Sequence, residues 1–420
     1  MDEKRKRAMS HKRRIRNLTS LCGLSAIILA VSTYAWFTGL QDVSVGTFQV
    51  EIAAADSMQL SLNGQDWSES LTFTKDDLTT KAYSATSFNW PSNGLVPVSS
   101  IGDMDSTSSR MVMYEKASMT TTPGGYRLIA NKVANTSGAY EGAQGQNGFL
   151  AFDLFIKNFS GTAYFTENNV ANEEAIYLTP DSKVSIGSSG IASSGIQNSV
   201  RVAFAQIGRV SAFNNTASQI TGITCSDAGS DTSDTSYVTG ICRKAQIWEP
   251  NDTKHVATAI NWYTKSCKKR TAADLVDASY TGTCNTVADG NYYNTYAIAK
   301  EINATDKVDV YDGRDYNSYE TSITNGSLKA VDYFTDTEKN LKGVSRPTFM
   351  TLAPASITKV RVYVYIEGQD IDNFDYASAG QQIQVNFGFT KQRFTSDDVG
   401  VTEGELYNNL PTAVHPTASR

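Results

Sequence analysis

A run of cations leads straight into one apolar stretch, and that stretch leads straight into chain patterned for β-structure. Lys4, Arg5, Lys6, Arg7, Lys12, Arg13, Arg14 and Arg16 come first; residues 21–37 (LCGLSAIILAVSTYAWF) follow, almost without polar side chains. Cations before a single apolar segment hold the N-terminus in the cytoplasm and send the rest outward. The sequence therefore predicts a basic cytoplasmic segment over 1–17, and a signal peptide or transmembrane anchor over 18–37. The run sits at the short edge for a spanning helix. Thr33 and Ala35 place small residues where a signal cut between Ala35 and Trp36 needs them. Cleavage and an uncleaved anchor both fit.

The charge outside the head is strongly acidic. Residues 1–35 carry eight Lys and Arg and two Asp and Glu; set against totals of 37 and 43, they leave 29 and 41, a net charge of −12. Such a surface disfavours nucleic acid and anionic lipid as partners and favours solubility. Ser, Thr, Asn, Gly, Tyr and Val are abundant and helix-forming runs are scarce, which reads as an all-β exported protein.

The strand signals are regular. Val43 and Val45 share one face, the phase slips at Gly46-Thr47, and Phe48, Val50 and Ile52 continue the apolar row, which predicts a β-bulge at the slip. Met58, Leu60 and Leu62 alternate into Asn63-Gly64, a hairpin-turn signal. Leu150, Phe152, Leu154 and Ile156 alternate, as do Val200, Val202 and Phe204. Near the end, Val360, Val362, Val364 and Ile366 form one face against Lys359, Arg361, Tyr363 and Tyr365; Ile383, Val385, Phe387 and Phe389 form another row. Alternation predicts one buried and one wet face, as in an antiparallel β-sandwich. On this reading 38–205 is the first part of the sandwich and 346–420 its C-terminal strands and tail. Residues 206–345 form a cysteine-containing, partly helical insertion, with helices near 255–265 and 329–342.

Cys22 falls in the apolar run. Cys225, Cys242, Cys267 and Cys284 cluster in the insertion, with both neighbouring pairs 17 residues apart. No close Cys pair of the zinc-site kind occurs, and clustered cysteines in an exported chain read as disulfides. The expected bridges are Cys225–Cys242 and Cys267–Cys284, each closing a loop worth roughly 3 kcal/mol; the other two connectivities stay open.

Candidate chemistry is sparse. Only His255 and His415 lie in the exported part; both read as solvated or packing residues, and no H-E-x-x-H, G-x-S-x-G, P-loop or dinucleotide motif occurs. No catalytic residue and no metal ligand is assigned. Three acidic groups stand out: Asp309, Asp312, Asp315 and Glu320; Asp227, Asp231 and Asp234; and Glu367, Asp370, Asp372 and Asp375 in EGQDIDNFD. The last could bind a hard cation such as Ca2+ or form an Asx-turn connection, although none matches the EF-hand order. Paired carboxylates could also hydrolyse glycosides, given a cleft. Tyr363 and Tyr365 offer either a binding surface or cross-strand packing.

The junction STYAWFTGLQDVSVGTFQVEI resembles the start of the TasA/camelysin family of Gram-positive surface and biofilm-fibre proteins. Thr33-Tyr34-Ala35 and Trp36-Phe37 match its export junction, and Gly46-Thr47-Phe48 matches its first strand more loosely. Thr38-Gly39 stands where the family usually has Asp, and the likeness covers about 30 residues. It implies a jelly-roll sandwich in a Gram-positive-type bacterium, polymerised by donor strands, with Val43, Val45, Phe48, Val50 and Ile52 as the inserting side chains; pairing of that strand within its own domain is the alternative. The metalloprotease label of some relatives does not carry over, for want of a zinc constellation.

The expected function is a non-catalytic surface or extracellular-matrix protein, with self-association into fibres as its expected mode of assembly. A membrane-tethered adhesin recognising a glycan or protein is the second reading, and a carboxylate hydrolase the third. LPTA at 410–413 lacks the end of a sortase signal, so attachment is expected through the N-terminus.

Overall fold

The computed structural model describes residues 44–52, 57–84, 87–91, 94–122, 125–133, 148–187, 194–213, 215–271, 286–303, 326–374, 382–395 and 398. The basic segment, the apolar run, the junction at Ala35 and Trp36, and Val43 lie outside them. Among the described residues no helix is long and apolar enough to cross a membrane.

Among the described residues two main sheets, one of six strands and one of eight, dominate. In chain order their strands are β1 Ser44–Ile52, β2 Met58–Ser61, β3 Ser70–Phe73, β4 Phe88–Asn89, β5 Phe149–Asn158, β6 Glu174–Leu178, β7 Lys183–Ile186, β8 Val200–Ser211, β9 Thr239–Gly240, β10 Gln246–Glu249, β11 Phe334–Thr335, β12 Met350–Leu352, β13 Ser356–Ile366 and β14 Gln382–Thr390. The six-stranded sheet runs β12-β6-β14-β1-β3, with β7 also on β14; the eight-stranded sheet runs β11-β10-β8-β13-β5-β2, with β9 on β8 and β4 on β5. β13 is the spine of the larger sheet, antiparallel to β5 and β8 along its whole length.

The alternating rows explain how the sheets meet. Val360, Val362, Val364, Val200, Val202, Phe204, Phe152 and Leu154 of the larger sheet share one buried cluster with Val45, Val50, Ile383, Val385, Phe387 and Phe389 of the smaller. Rings cross the gap: Phe73 and Phe152 lie 4.9 Å apart, and Phe204 and Phe387 5.0 Å.

The opposite face of the larger sheet is not wet. Lys359, Arg361, Tyr363 and Tyr365 are all buried. Val98, Met111, Ile223, Val238 and Tyr333, from the intervening segments, cover this face and pack in one cluster with Ala203, Ala205 and Ile207 of β8. The long polar-looking stretches between strands are the lid that alternation cannot reveal. Under it the charges pair: Arg361 holds both Asp153 oxygens at 2.7 and 2.9 Å, and Lys359 donates to the Thr221 carbonyl at 3.0 Å. The Tyr363 hydroxyl accepts from the Met111 N–H at 3.0 Å.

β8 runs through the boundary at 205/206, and β9, β10 and β11 return to the same sheet. A bulge between Gln206 and Gly208 lets β8 continue. A Cβ at Gly208 would stand 2.6 Å from the Thr224 carbonyl oxygen, so the chain crosses there only without a side chain. The first expected helix is present as Ala257–Thr271; at the second, two short strands, Leu328–Ala330 and β11, precede a four-residue helix Asp336–Lys339 capped by Thr335.

β1 lies between β14 and β3, with the bulge at the Val45–Thr47 phase slip. It is parallel to β14, against the antiparallel expectation, as β10 is to β11. First and last strands share no hairpin that would force them antiparallel.

Candidate functional site: a buried charge cluster at the 367–372 turn

Where β13 ends, the chain turns through Glu367, Asp370 and Asp372. All three carboxylates are buried. The turn is tied down by backbone: Glu367 N–H donates to the Ser199 carbonyl and Gly368 N–H to that of Val98, both at 2.8 Å. The Asp372 N–H donates to Asp370 Oδ1 at 2.8 Å.

Arg201 is the centre of the cluster. It follows Val200 at the start of β8 and points to the covered face, where burial is complete. Its Nη2 donates to Glu249 Oε1 on β10, to Asp370 Oδ2 at 2.5 Å and to Thr295 Oγ1 at 3.1 Å; Nη1 donates to the Asn198 and Val200 carbonyls at 3.1 Å. Its guanidinium carbon stands 4.9 Å over the Tyr333 ring. A fork with five donors suits this convergence of carboxylates better than an ammonium would.

His255 meets the far end of the turn. Its Nδ1 is 2.8 Å from Asp372 Oδ2, and its Nε2 is 2.9 Å from the Asn291 carbonyl oxygen. A carbonyl can only accept, so Nε2 carries a proton, and a second proton lies between Nδ1 and Asp372.

Burial without enough cations shifts the acids upward. It pushes Glu249 to about 8, opposed by Arg201 and aided by Asp370 and Asp252. Burial pushes Glu367 to about 7 against the Ser99 hydroxyl and Arg201, and it raises Asp372 against its bond to His255. The His255 imidazole is pulled down by burial, but Asp372 and the Asn291 carbonyl outweigh that and leave it above its ordinary value. Glu249 Oε2 and Asp372 Oδ1 have no hydrogen-bond partner among the described residues. The cluster is built to hold protons.

The acidic loop is therefore turned onto Arg201 and His255. Among the described residues no three His, Cys, Asp or Glu side chains converge as a metal site. Asp375, the fourth acid of the loop, lies outside the described residues, as do Asp309, Asp312, Asp315, Glu320 and His415. Asp227 accepts from the Gly240 N–H at 2.8 Å, while Asp231 and Asp234 accept from Ser233 and Ser236 two residues on, the geometry of Asx turns. Cys225 and Cys242 are bonded, with Cα atoms 5.1 Å apart. The Cys267 side chain and Cys284 lie outside the described residues. Of the β1 residues, Val45 and Val50 are buried, and Phe48 and Ile52 take register opposite Val385 and Phe389.

Arg201 and Glu249 belong to no motif in the sequence, and His255 reads there as a surface or packing residue. A single Arg inside the apolar run VRVAFA was the available signal, since a buried Arg demands acids. No family model, curated protein or solved structure matches the chain.

Proposed function

We propose that this chain is a non-catalytic exported surface protein, a jelly-roll-like β-sandwich that serves as a subunit of an extracellular fibre or matrix. Residues 1–37 direct export, and the body acts outside a Gram-positive-type cell. The observation that carries this reading is the place of β1. The strand that follows the export segment completes the sheet between β14 and β3, through parallel pairing with β14. Withdrawing it would open two strand edges at once, and an identical strand from a second copy would restore every backbone bond. The burial of Val45 and Val50 supports β1 as the exchanging element. The charge cluster supports a structural role, because its cation and most of its acids are engaged with one another.

The test is a concentration series of the chain beginning at Trp36, followed by sedimentation and electron microscopy, with and without excess peptide of sequence SVGTFQVEI. Filaments that lengthen with concentration and are capped by the peptide are expected. A monomer at every concentration would overturn the fibre reading. A second reading, a membrane-tethered binding module, draws on Leu341, Val344 and Phe394, exposed to 41%, 75% and 53%. Recovery of only full-length protein, and only in membranes, would favour it.

A further inference from the structure

One corner where the two sheets meet brings an amine, a carboxamide and a carboxylate into mutual contact. Asn158 ends β5, Glu174 begins β6, and Lys391 follows β14 by one residue. Lys391 Nζ lies 2.7 Å from Asn158 Oδ1 and 3.1 Å from Glu174 Oε2. Asn158 Nδ2 donates to the same Glu174 oxygen at 2.9 Å.

The carboxamide is held in one orientation. The Ser160 N–H, which can only donate, points at Oδ1 from 3.1 Å; the Ala353 carbonyl, which can only accept, takes Nδ2 at 3.0 Å. Asn158 is fully buried, while Lys391 keeps 18% of its side chain exposed. The Asn158 carboxamide oxygen thus accepts from the Ser160 N–H and from Lys391 Nζ, donors of the kind that stabilise charge on an acyl oxygen. Glu174 touches both nitrogens that would exchange protons. Ser160 Oγ is 2.5 Å from the same carboxylate and fixes it in place.

We propose that Lys391 and Asn158 form an intramolecular isopeptide bond, with Glu174 as the catalytic proton carrier. Lys391 first gives a proton to Glu174 and becomes a neutral amine. Nζ then attacks Asn158 Cγ, forming the new C–N bond, while the negative charge gathers on Oδ1 beside the Ser160 N–H. Glu174 carries two protons in turn from Nζ to Nδ2, the Cγ–Nδ2 bond breaks, and Nδ2 leaves as ammonium. Glu174 ends as a carboxylate. The products are one amide and one ammonium ion, and no oxidant or co-reactant is needed. Preorganised contact among the three groups replaces an encounter between them.

The bond would tie β14 of the smaller sheet to β5 of the larger, closing a loop between residues 233 apart in sequence. Unlike the Cys225–Cys242 bridge, it would survive reduction. It does not depend on the fibre reading: a monomeric surface protein would be fastened in the same way.

The test is mass spectrometry of the purified full chain, denatured and reduced after incubation at neutral pH. The expected protein is lighter than its sequence by one ammonia, and its digest yields a branched peptide joining the segments around Asn158 and Lys391. Lys391→Arg, which keeps the charge but is not expected to form the bond, should show the unshifted mass. Glu174→Gln should remain folded by circular dichroism and stay unlinked. Native protein with the full sequence mass and two separate linear peptides would overturn the proposal. A Glu174→Gln chain that cross-links as completely as the native one would remove Glu174 from the mechanism.

Discussion

His255 and Asp372 meet through a 2.8 Å contact between Nδ1 and Oδ2 across 117 residues of chain. That contact, with Glu249 and Glu367 nearby, sets a direction for pH dependence. Glu249 rises from 4.5 to about 8 on folding and Glu367 from 4.5 to about 7, while Asp372 and His255 are raised as well. The folded chain therefore holds protons that the unfolded chain releases, and stability falls as pH rises through this window. For His255 the contribution is complete below its unfolded value and is lost as pH passes its folded one. Asp153 acts oppositely: burial raises it, but Arg361 and Lys359 bring it to about 2, so its contribution fades only at lower pH. Thermal melts should show greatest stability near about pH 5 and a lower Tm near about pH 8. A Tm that climbs steadily across that range would contradict the assignment.

Arg201 should be less replaceable than any cation on the surface. Arg201→Met removes the charge that Glu249 and Asp370 share and leaves both acids buried. Breaking one partner of such a group costs about 3–5 kcal/mol. Chemical denaturation at about neutral pH reads that loss. Arg201→Lys, which keeps a charge, should lose less; an equal loss from both variants would mean that packing on Tyr333, not charge, is what Arg201 supplies.

The Cys225–Cys242 bridge closes a loop of 17 residues and sits where β9 joins the larger sheet. Cys242→Ser should lower stability by roughly 3 kcal/mol in the chain-entropy account. Reductant should lower the Tm of the native chain and leave that of the variant unchanged. If reductant shifts the variant as strongly, the effect comes from the remaining cysteines.

The strands were legible because their apolar rows have period two: Val360 to Ile366 and Ile383 to Phe389 read directly as β13 and β14. The bulge at Gly46-Thr47 was legible as a slip in that period. The buried state of Tyr363 and Tyr365 was not, because the cover comes from segments such as 98–113 and 220–247, whose apolar residues are too scattered to show a period. The charge cluster was half legible. The acids of EGQDIDNFD stood out as a local run, but Arg201, Glu249 and His255 come from three distant places that only the sheet brings together. The Asn158, Glu174 and Lys391 corner left no local signal at all, since each is an ordinary polar residue at a strand end.

Phe204 tests whether the two sheets are held by specific ring packing or by area alone. Its ring lies 5.1 Å from Phe349, 5.0 Å from Phe387 and 5.6 Å from Phe389, near-perpendicular to each, so one side chain of β8 engages β14 twice. Edge-to-face pairs add about 0.5–1.5 kcal/mol each beyond the area they bury. Phe204→Ala should therefore cost about 3–5 kcal/mol, the range for emptying an aromatic site in a core. Phe387→Ala should cost a similar amount. The double variant should lose less than the sum, by about 0.5–3 kcal/mol, because residues in contact do not act independently. Denaturant titration of the four proteins measures this coupling. Strict additivity would show that Phe204 and Phe387 fill space independently and that the sheets are joined elsewhere.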